Sequence, residues 1–242
     1  MENNKEKTCS NKLAGKSKML LLAITLIGSA FAASAQKSTV TAALAKHGID
    51  ESVLTPANFK APLDYGYDLQ QTTTTAGKTK TIVANFNPSG GEDKWTVVSV
   101  DGKAPSKGDI KSFREGRAKQ TASKTDDASY KVEQETADQL TYSYKMDASS
   151  LPKDAEALKD CRLYMSINLK TKQPAQLVAK NEKPIKIGML KAEKFEMTSK
   201  FDANGQEKRY FPVNENLDIQ AKFMGQTVTV QTVTAYSNYA KK

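Results

Sequence analysis

Two spacings of apolar residues divide this chain. From Tyr65 onward the period is two: Tyr65, Tyr67 and Leu69 interleave with Gly66, Asp68 and Gln70. Such spacing sends successive side chains to opposite faces of an extended strand, so one face packs and the other meets water. The pattern recurs in Leu140, Tyr142, Tyr144 and Met146, then in Leu163, Met165, Ile167 and Leu169, and again in Phe195, Met197 and Phe201. Turn residues punctuate the runs at Ala76-Gly77-Lys78, Ala137-Asp138, "KTKQPA", Asn204-Gly205 and Gly225-Gln226. Asn-Gly is the strongest of these hairpin signals. Thr72 to Thr75 read as strand, because β-branched threonine suits a pleated surface.

Helical spacing is confined to short stretches. "STVTAALAKHGIDESVL" predicts a helix with Ser38 as N-cap and Gly48 as stop. From Asp109, the spacing of Ile110, Phe113 and Arg117 predicts a second, weakened by Gly116. "SSLPKDAEALKD" predicts a third, with Ser150 and Pro152 at its start. Between them "WTVVSV" is apolar on both alternating sets, which predicts a central strand covered on both faces. It turns through Asp101-Gly102 into the helix that follows, so Trp95–Phe113 is expected to be a structural corner.

Short connections between successive strands imply an antiparallel meander, and a sheet of about nine to eleven strands must curl, split or close. The expected fold is therefore mainly β (α+β): a curved antiparallel sheet or half-barrel covered by one to three short helices.

The N-terminus changes where this fold is expected to work. Lys5, Lys7, Lys12, Lys16 and Lys18 precede the apolar run Met19–Phe31, and Ala33-Ser34-Ala35 fits the small-residue pattern before an export cleavage site near Ala35-Gln36. The run is short of the roughly 20 residues a membrane-spanning helix needs. Cys9 lies before the run and no cysteine ends it, so this is not a lipoprotein signal. The expected divisions are a signal peptide at 1–35, an N-terminal helical and extended segment at 36–64, and an antiparallel β domain at 65–242. The mature chain is expected to be periplasmic or secreted, with no transmembrane segment.

Charge adds little. The sequence has 36 Lys and Arg against 27 Asp and Glu, a net charge of +9. Five Lys and two Glu fall within residues 1–35, leaving about +6 on the remainder, enough to favour anionic headgroups or envelope polymers. These charges form no block, so nucleic acid is not an expected partner.

Candidate chemistry is sparse. His47 is the only histidine, and Cys161 is the only cysteine beyond residue 35. That set cannot build a His/Cys zinc site or an intramolecular disulfide in the mature chain. A catalytic triad would have to recruit His47 from the N-terminal stretch, and no G-x-S-x-G elbow, P-loop or G-x-G-x-x-G accompanies it. Cys161 is expected to be buried. Acidic pairs at Glu92-Asp93, Asp126-Asp127 and Glu133/Glu135 are the remaining candidates for acid–base or calcium work. Asp126-Asp127 reads as a turn, and Glu133 and Glu135 as sharing a solvent-facing strand face. No catalytic, cofactor-binding or metal residue is assigned; an enzyme is not expected, and neither is a cofactor. Tyr142, Tyr144 and Met146, with Phe195, Met197, Phe201 and Phe223, line either an acyl-chain pocket or an ordinary core, and the spacing favours the core. Low mean hydropathy keeps any pocket small or partly polar.

The order of elements carries a resemblance. A hairpin ending in "FNP", the segment "WTVVSVDGKAPS" leading into a basic helix, and a meander closing in "TVTAYSNY" resemble uncharacterised bacterial envelope proteins with a W-x-L-L-x-V-(N/D)-G-x-x-P segment. Over Tyr65 to Tyr239 the chain is also similar to the outer-membrane lipoprotein carrier (LolA/LolB-like) superfamily. That resemblance implies a strongly curved sheet covered by helices around an apolar cavity, and transfers no functional residue. The expected function is an exported binding protein that shields a lipid, acyl chain or other apolar ligand. The alternative is a non-catalytic structural or interaction protein of the envelope, with a filled core and an envelope protein as partner.

Overall fold

The computed structural model describes residues 36–91, 93–117, 123–187, 190–204, 207–223 and 225–242. The expected signal peptide lies outside them. The period-two segments form one curved, unclosed antiparallel sheet of eleven strands. These are β1 (Tyr65–Thr75), β2 (Lys78–Phe86), β3 (Trp95–Val100), β4 (Thr125–Glu135), β5 (Gln139–Met146), β6 (Cys161–Asn168), β7 (Gln173–Asn181), β8 (Ile185–Ile187), β9 (Leu190–Asn204), β10 (Arg209–Phe223) and β11 (Gln226–Lys241). Their order is β3-β2-β1-β11-β10-β9-β7-β6-β5-β4, with β8 paired to β9. The last strand thus closes against the first, Tyr65 opposite Lys241, and β3 and β4 are the two edges. Among the described residues no helix is long and apolar enough to cross a membrane.

Local chemistry explains the joints. Ala76 and Gly77 have φ of 48° and 78°, and Thr75 pairs with Lys78, giving the two-residue turn whose twist matches a hairpin. Thr72, Thr73 and Thr74 each meet a threonine hydroxyl across the ladder, at Thr81, Thr232 and Thr79, 3.0–3.1 Å away. The first helix, α1 (36–46), ends at Gly48, whose φ is 63°. There Gly48 N donates to Ala45 O and Ile49 N to Leu44 O, satisfying the last carbonyls. Ser38 sits inside α1 rather than capping it. The second helix, α2 (Lys107–Arg117), starts two residues before Asp109 because Ser106 caps it. Asp109 N donates to Ser106 Oγ at 3.1 Å, and Ser106 N donates back to Asp109 Oδ2 at 3.2 Å.

Three expectations are corrected. Trp95–Val100 is an edge strand, paired only with β2, and Val98 is 51% exposed. Its doubly apolar pattern comes from a register shift at Val83/Ala84, which brings Val100 into line with Ile82 while Val97 faces Ala84. Asp126-Asp127 lies within β4, where the register shifts before Lys131 and Asp126 Oδ1 accepts from Ala128 N. The turn-forming residues are real; they make a strand irregularity instead. "SSLPKDAEALKD" forms two 3-10 turns, Ala148–Ser150 and Lys153–Asp160, and Pro152 separates them. In the β9–β10 hairpin Arg209 pairs with Asn204, while Gly205 lies outside the described residues.

The helices share one face of the sheet, unequally. Over β4–β7, β9 and β10, α1 and the 3-10 turns Glu51–Leu54 and Pro56–Phe59 pack the larger apolar cluster, with a cleft of about 420 Å³ left between the start of α1 and β4, lined by Gln36, Thr39, Tyr130, Val132 and Arg162. In that cluster Val40, Leu44 and Val53 pack with Leu140, Tyr142, Met165 and Ile167. Tyr142 OH donates to Val53 O at 2.5 Å, and Phe59 stacks on Tyr210 at 4.8 Å. Over β1–β3 the cover is α2, whose Phe113 shares a cluster with Leu69, Phe86 and Val97, together with Ala61 of the N-terminal segment. A third cluster at the far end encloses Cys161 with Ile185, Ala192 and Ala221. Burial pushes the Cys161 thiol up to about 11.

Exposed carboxylates tie these covers down. Asp50 Oδ2 accepts from Lys208 at 2.6 Å, and Asp109 Oδ1 from Lys80 at 2.7 Å; each is held at about 2, first by that lysine. A carboxylate depressed in the folded state stabilises it above the unfolded value of 3.8, and that contribution disappears as pH falls toward about 2. The urea midpoint is expected to be level above about pH 5 and to fall below pH 4. Asp50→Asn with Asp109→Asn should flatten that fall. An unchanged slope in the double variant would place the acid sensitivity elsewhere.

Candidate ligand cleft

The covered face has a polar seam between its two apolar halves. Register carries the row Met165, Leu177, Ser199, Glu215, Thr234, Gln71 and Ile82 across β6, β7, β9, β10, β11, β1 and β2. Its middle is hydrophilic: Gln71 Nε2 donates to Thr234 Oγ1 at 3.2 Å, and Tyr236 OH to Glu215 Oε2 at 2.6 Å. That polar middle lies between the larger apolar cluster and the smaller one under α2.

Beside that smaller cluster is a cleft of about 400 Å³, with Tyr67, Phe86, Trp95 and Tyr236 in its wall and Lys94, Arg114 and Arg117 around it. Tyr67 is its hub. Its ring centroid lies 5.0 Å from Phe86, 5.6 Å from Trp95, 6.0 Å from Tyr236 and 5.2 Å from Tyr239. Burial, the largest cause, pushes the Tyr67 hydroxyl up to about 12, against the opposing pull of Arg117. Tyr236 is also raised, by burial first and by Glu215 next.

A bulge makes this wall. By period two, Tyr236 and Tyr239 would point to opposite faces. Between Gly66 and Asp68 the β1–β11 register shifts, and Asn238 takes φ 57°, so both tyrosines reach Tyr67. Asp68 fixes the bulge by accepting from Asn238 Nδ2 at 2.5 Å and from Asn85. Tyr239 OH then donates to Pro212 O at 2.6 Å.

The helix supplies the other wall. Ile110, Phe113, Arg114 and Arg117 lie on one stripe of α2 and are its described residues least open to solvent together with Asp109. Arg114 Nε and Nη2 donate to Trp95 O at 3.1 and 2.9 Å, and Nη1 to Asp93 Oδ1 at 2.5 Å, clamping α2 to the start of β3. Arg117 lies over Trp95 and Phe113, 5.7 and 5.4 Å from their ring centroids. It also borders a second, more polar cleft with Lys80, Asp109 and Glu215.

The residues singled out in sequence are scattered. Tyr142 and Tyr144 are buried in the larger cluster, where Tyr130 stacks on Tyr144 at 5.2 Å, and Phe223 is 40% exposed. The two tyrosines form core, not a pocket, and Phe223 belongs to neither. Glu133 and Glu135 do not share a face, because the register shifts between Val132 and Gln134. Glu133 accepts from Ser143 Oγ at 2.7 Å; Glu135 meets Lys46 at 2.6 Å and His47 Nε2 at 2.8 Å. Lys131, then Ser143, lowers Glu133, while Lys46, then His47, lowers Glu135. His47 thus ties the end of α1 to β4. Asp93 belongs to the Arg114 clamp, and Glu92 lies outside the described residues. Among the described residues no three His, Cys, Asp or Glu side chains gather as a metal set. Sequence spacing missed Tyr236, Tyr239, Lys94 and Arg114; the one signal was the Tyr-Ser-Asn-Tyr ending, with asparagine favoured after glycine in a left-handed backbone. Comparison with protein-family models, curated proteins and solved structures finds no match to this chain.

Proposed function

We propose that this chain is an exported binding protein that shelters the apolar part of one small ligand in the cleft under α2. The carrying observation is the aromatic wall: Tyr67, Phe86, Trp95 and Tyr236 line a space of about 400 Å³, whereas the cleft of similar size beside α1 has one aromatic, Tyr130, among mostly polar residues. That volume lies within the range of about 300–1,000 Å³ typical of small-molecule sites, and suits a single chain better than a multi-chain lipid. A lipoprotein-carrier-like role is in keeping with the covered, curved sheet, with the aromatic cleft beside β1–β3 as the place for its ligand.

Trp95 makes the proposal directly measurable, since it is the only tryptophan and it lines the cleft. Protein purified without detergent is expected to show a bound mass by native mass spectrometry. Once extracted with organic solvent, it should change its tryptophan emission when single-chain apolar ligands are added back. A clean ligand-free mass together with no response to any such ligand would sink the binding reading. It would leave the alternative, a structural envelope protein, which the packing of the larger cluster favours and which predicts association with an envelope partner that weakens with salt.

A further inference from the structure

The charges around the cleft are one-sided. Three cations, Lys94, Arg114 and Arg117, line it, and no carboxylate does so among the described lining residues. They are not equivalent. Arg114 spends its donors on the Trp95 carbonyl and Asp93, so it holds the helix in place. Arg117 lies half-buried near two aromatic rings, 5.7 and 5.4 Å from the centroids of Trp95 and Phe113, borders both this cleft and the more polar one, and hydrogen-bonds Tyr236. Among the described residues it forms no ion pair, although Glu215 borders the neighbouring cleft. Glu215 is engaged by the Tyr236 hydroxyl, and its charge disfavours an anion on that far side. Of these two clefts only the aromatic one has no carboxylate among its described lining residues, so an anion meets Arg117 more favourably from that side.

We infer that the cleft takes a single-chain amphiphile by its anionic head, a carboxylate or phosphate monoester, set against Arg117 with the tail along Tyr67, Phe86 and Trp95. This rests on the binding reading above. A planar guanidinium matches either oxyanion through paired donors, and its five N–H groups exceed what the contact with Tyr236 uses. Lys94 adds charge at the rim without fixing geometry.

Calorimetric titration of the purified whole chain with decanoate, decyl phosphate and decanol separates head from tail. At least one of the two anions is expected to bind about tenfold or more tighter than decanol, and the tighter one names the head. Arg117→Gln is expected to lower anion affinity by a larger factor than decanol affinity, so that the advantage disappears; Arg117→Lys should restore part of it. Equal affinities for all three ligands in the unmodified protein would overturn the inference and leave the binding function standing. So would an anion preference that survives Arg117→Gln. No binding of any of the three, with no bound mass, would remove the binding function itself. The first comparison needs no variant, so it holds even where a substitution disturbs folding.

Discussion

Tyr142→Ala is expected to cost about 3–5 kcal/mol of unfolding free energy, the largest loss from any single truncation on this face. Tyr142 is fully buried at the point where the N-terminal segment meets the sheet, between Tyr130 and Tyr144 at ring distances of 6.2 and 6.1 Å. Truncation opens a cavity that strands on both sides cannot close, because their register is held by the ladders to β4 and β6. A domain stable by about 5–15 kcal/mol would be left marginal. Tyr142→Phe isolates the polar part: it removes the hydroxyl alone and strands the Val53 carbonyl, for about 1–3 kcal/mol. Urea unfolding followed by Trp95 emission is the measurement, and the reporter sits in the other apolar cluster. Both variants should therefore shift one common transition. An alanine variant within about 0.5 kcal/mol of the parent would mean that the 36–64 segment does not hold this face.

The strand content was legible because the alternation is long and regular where burial is one-sided, as in Leu140 to Met146 and Leu163 to Ile167. Period-two reading assumes an uninterrupted ladder, however, and each error lies at an interruption. The shift at Val83/Ala84 made an edge strand look central. The shift at Val132/Gln134 separated Glu133 from Glu135. Asp126-Asp127 looked like a turn because aspartate bonds nearby backbone N–H groups, and it does so inside β4. The cleft was hidden for a further reason: its wall joins Tyr67 and Phe86 to Tyr236, with Tyr239 packed against Tyr67, from opposite ends of the β segment. Only the pairing of β1 with β11 brings them together, and no local spacing encodes that pairing. Trp95 was read as a corner, and the Arg114 clamp gives it that part; its ring also forms cleft wall, which needed the position of α2.

Asn238→Val is expected to damage stability and ligand binding together. At φ 57° a β-branched residue is strained by about 1–3 kcal/mol, and the bond from Asn238 to Asp68 is lost as well. The chain can relieve the strain by straightening β11, but a one-residue slip then turns Tyr239 away from Tyr67 and Phe211. Either route weakens the wall. Asn238→Gly discriminates the causes, because glycine accepts the left-handed backbone and loses only the side-chain bond, so a loss of about 0.5–1.5 kcal/mol is expected. Urea midpoints give the stability order, parent above glycine above valine, and Trp95 titration gives the matching order of affinity. Valine behaving like glycine in both would show that the Asp68 bond, not the backbone twist, holds the bulge. Full affinity in the valine variant would place the ligand away from Tyr239, toward Arg117 and the α2 side of the cleft.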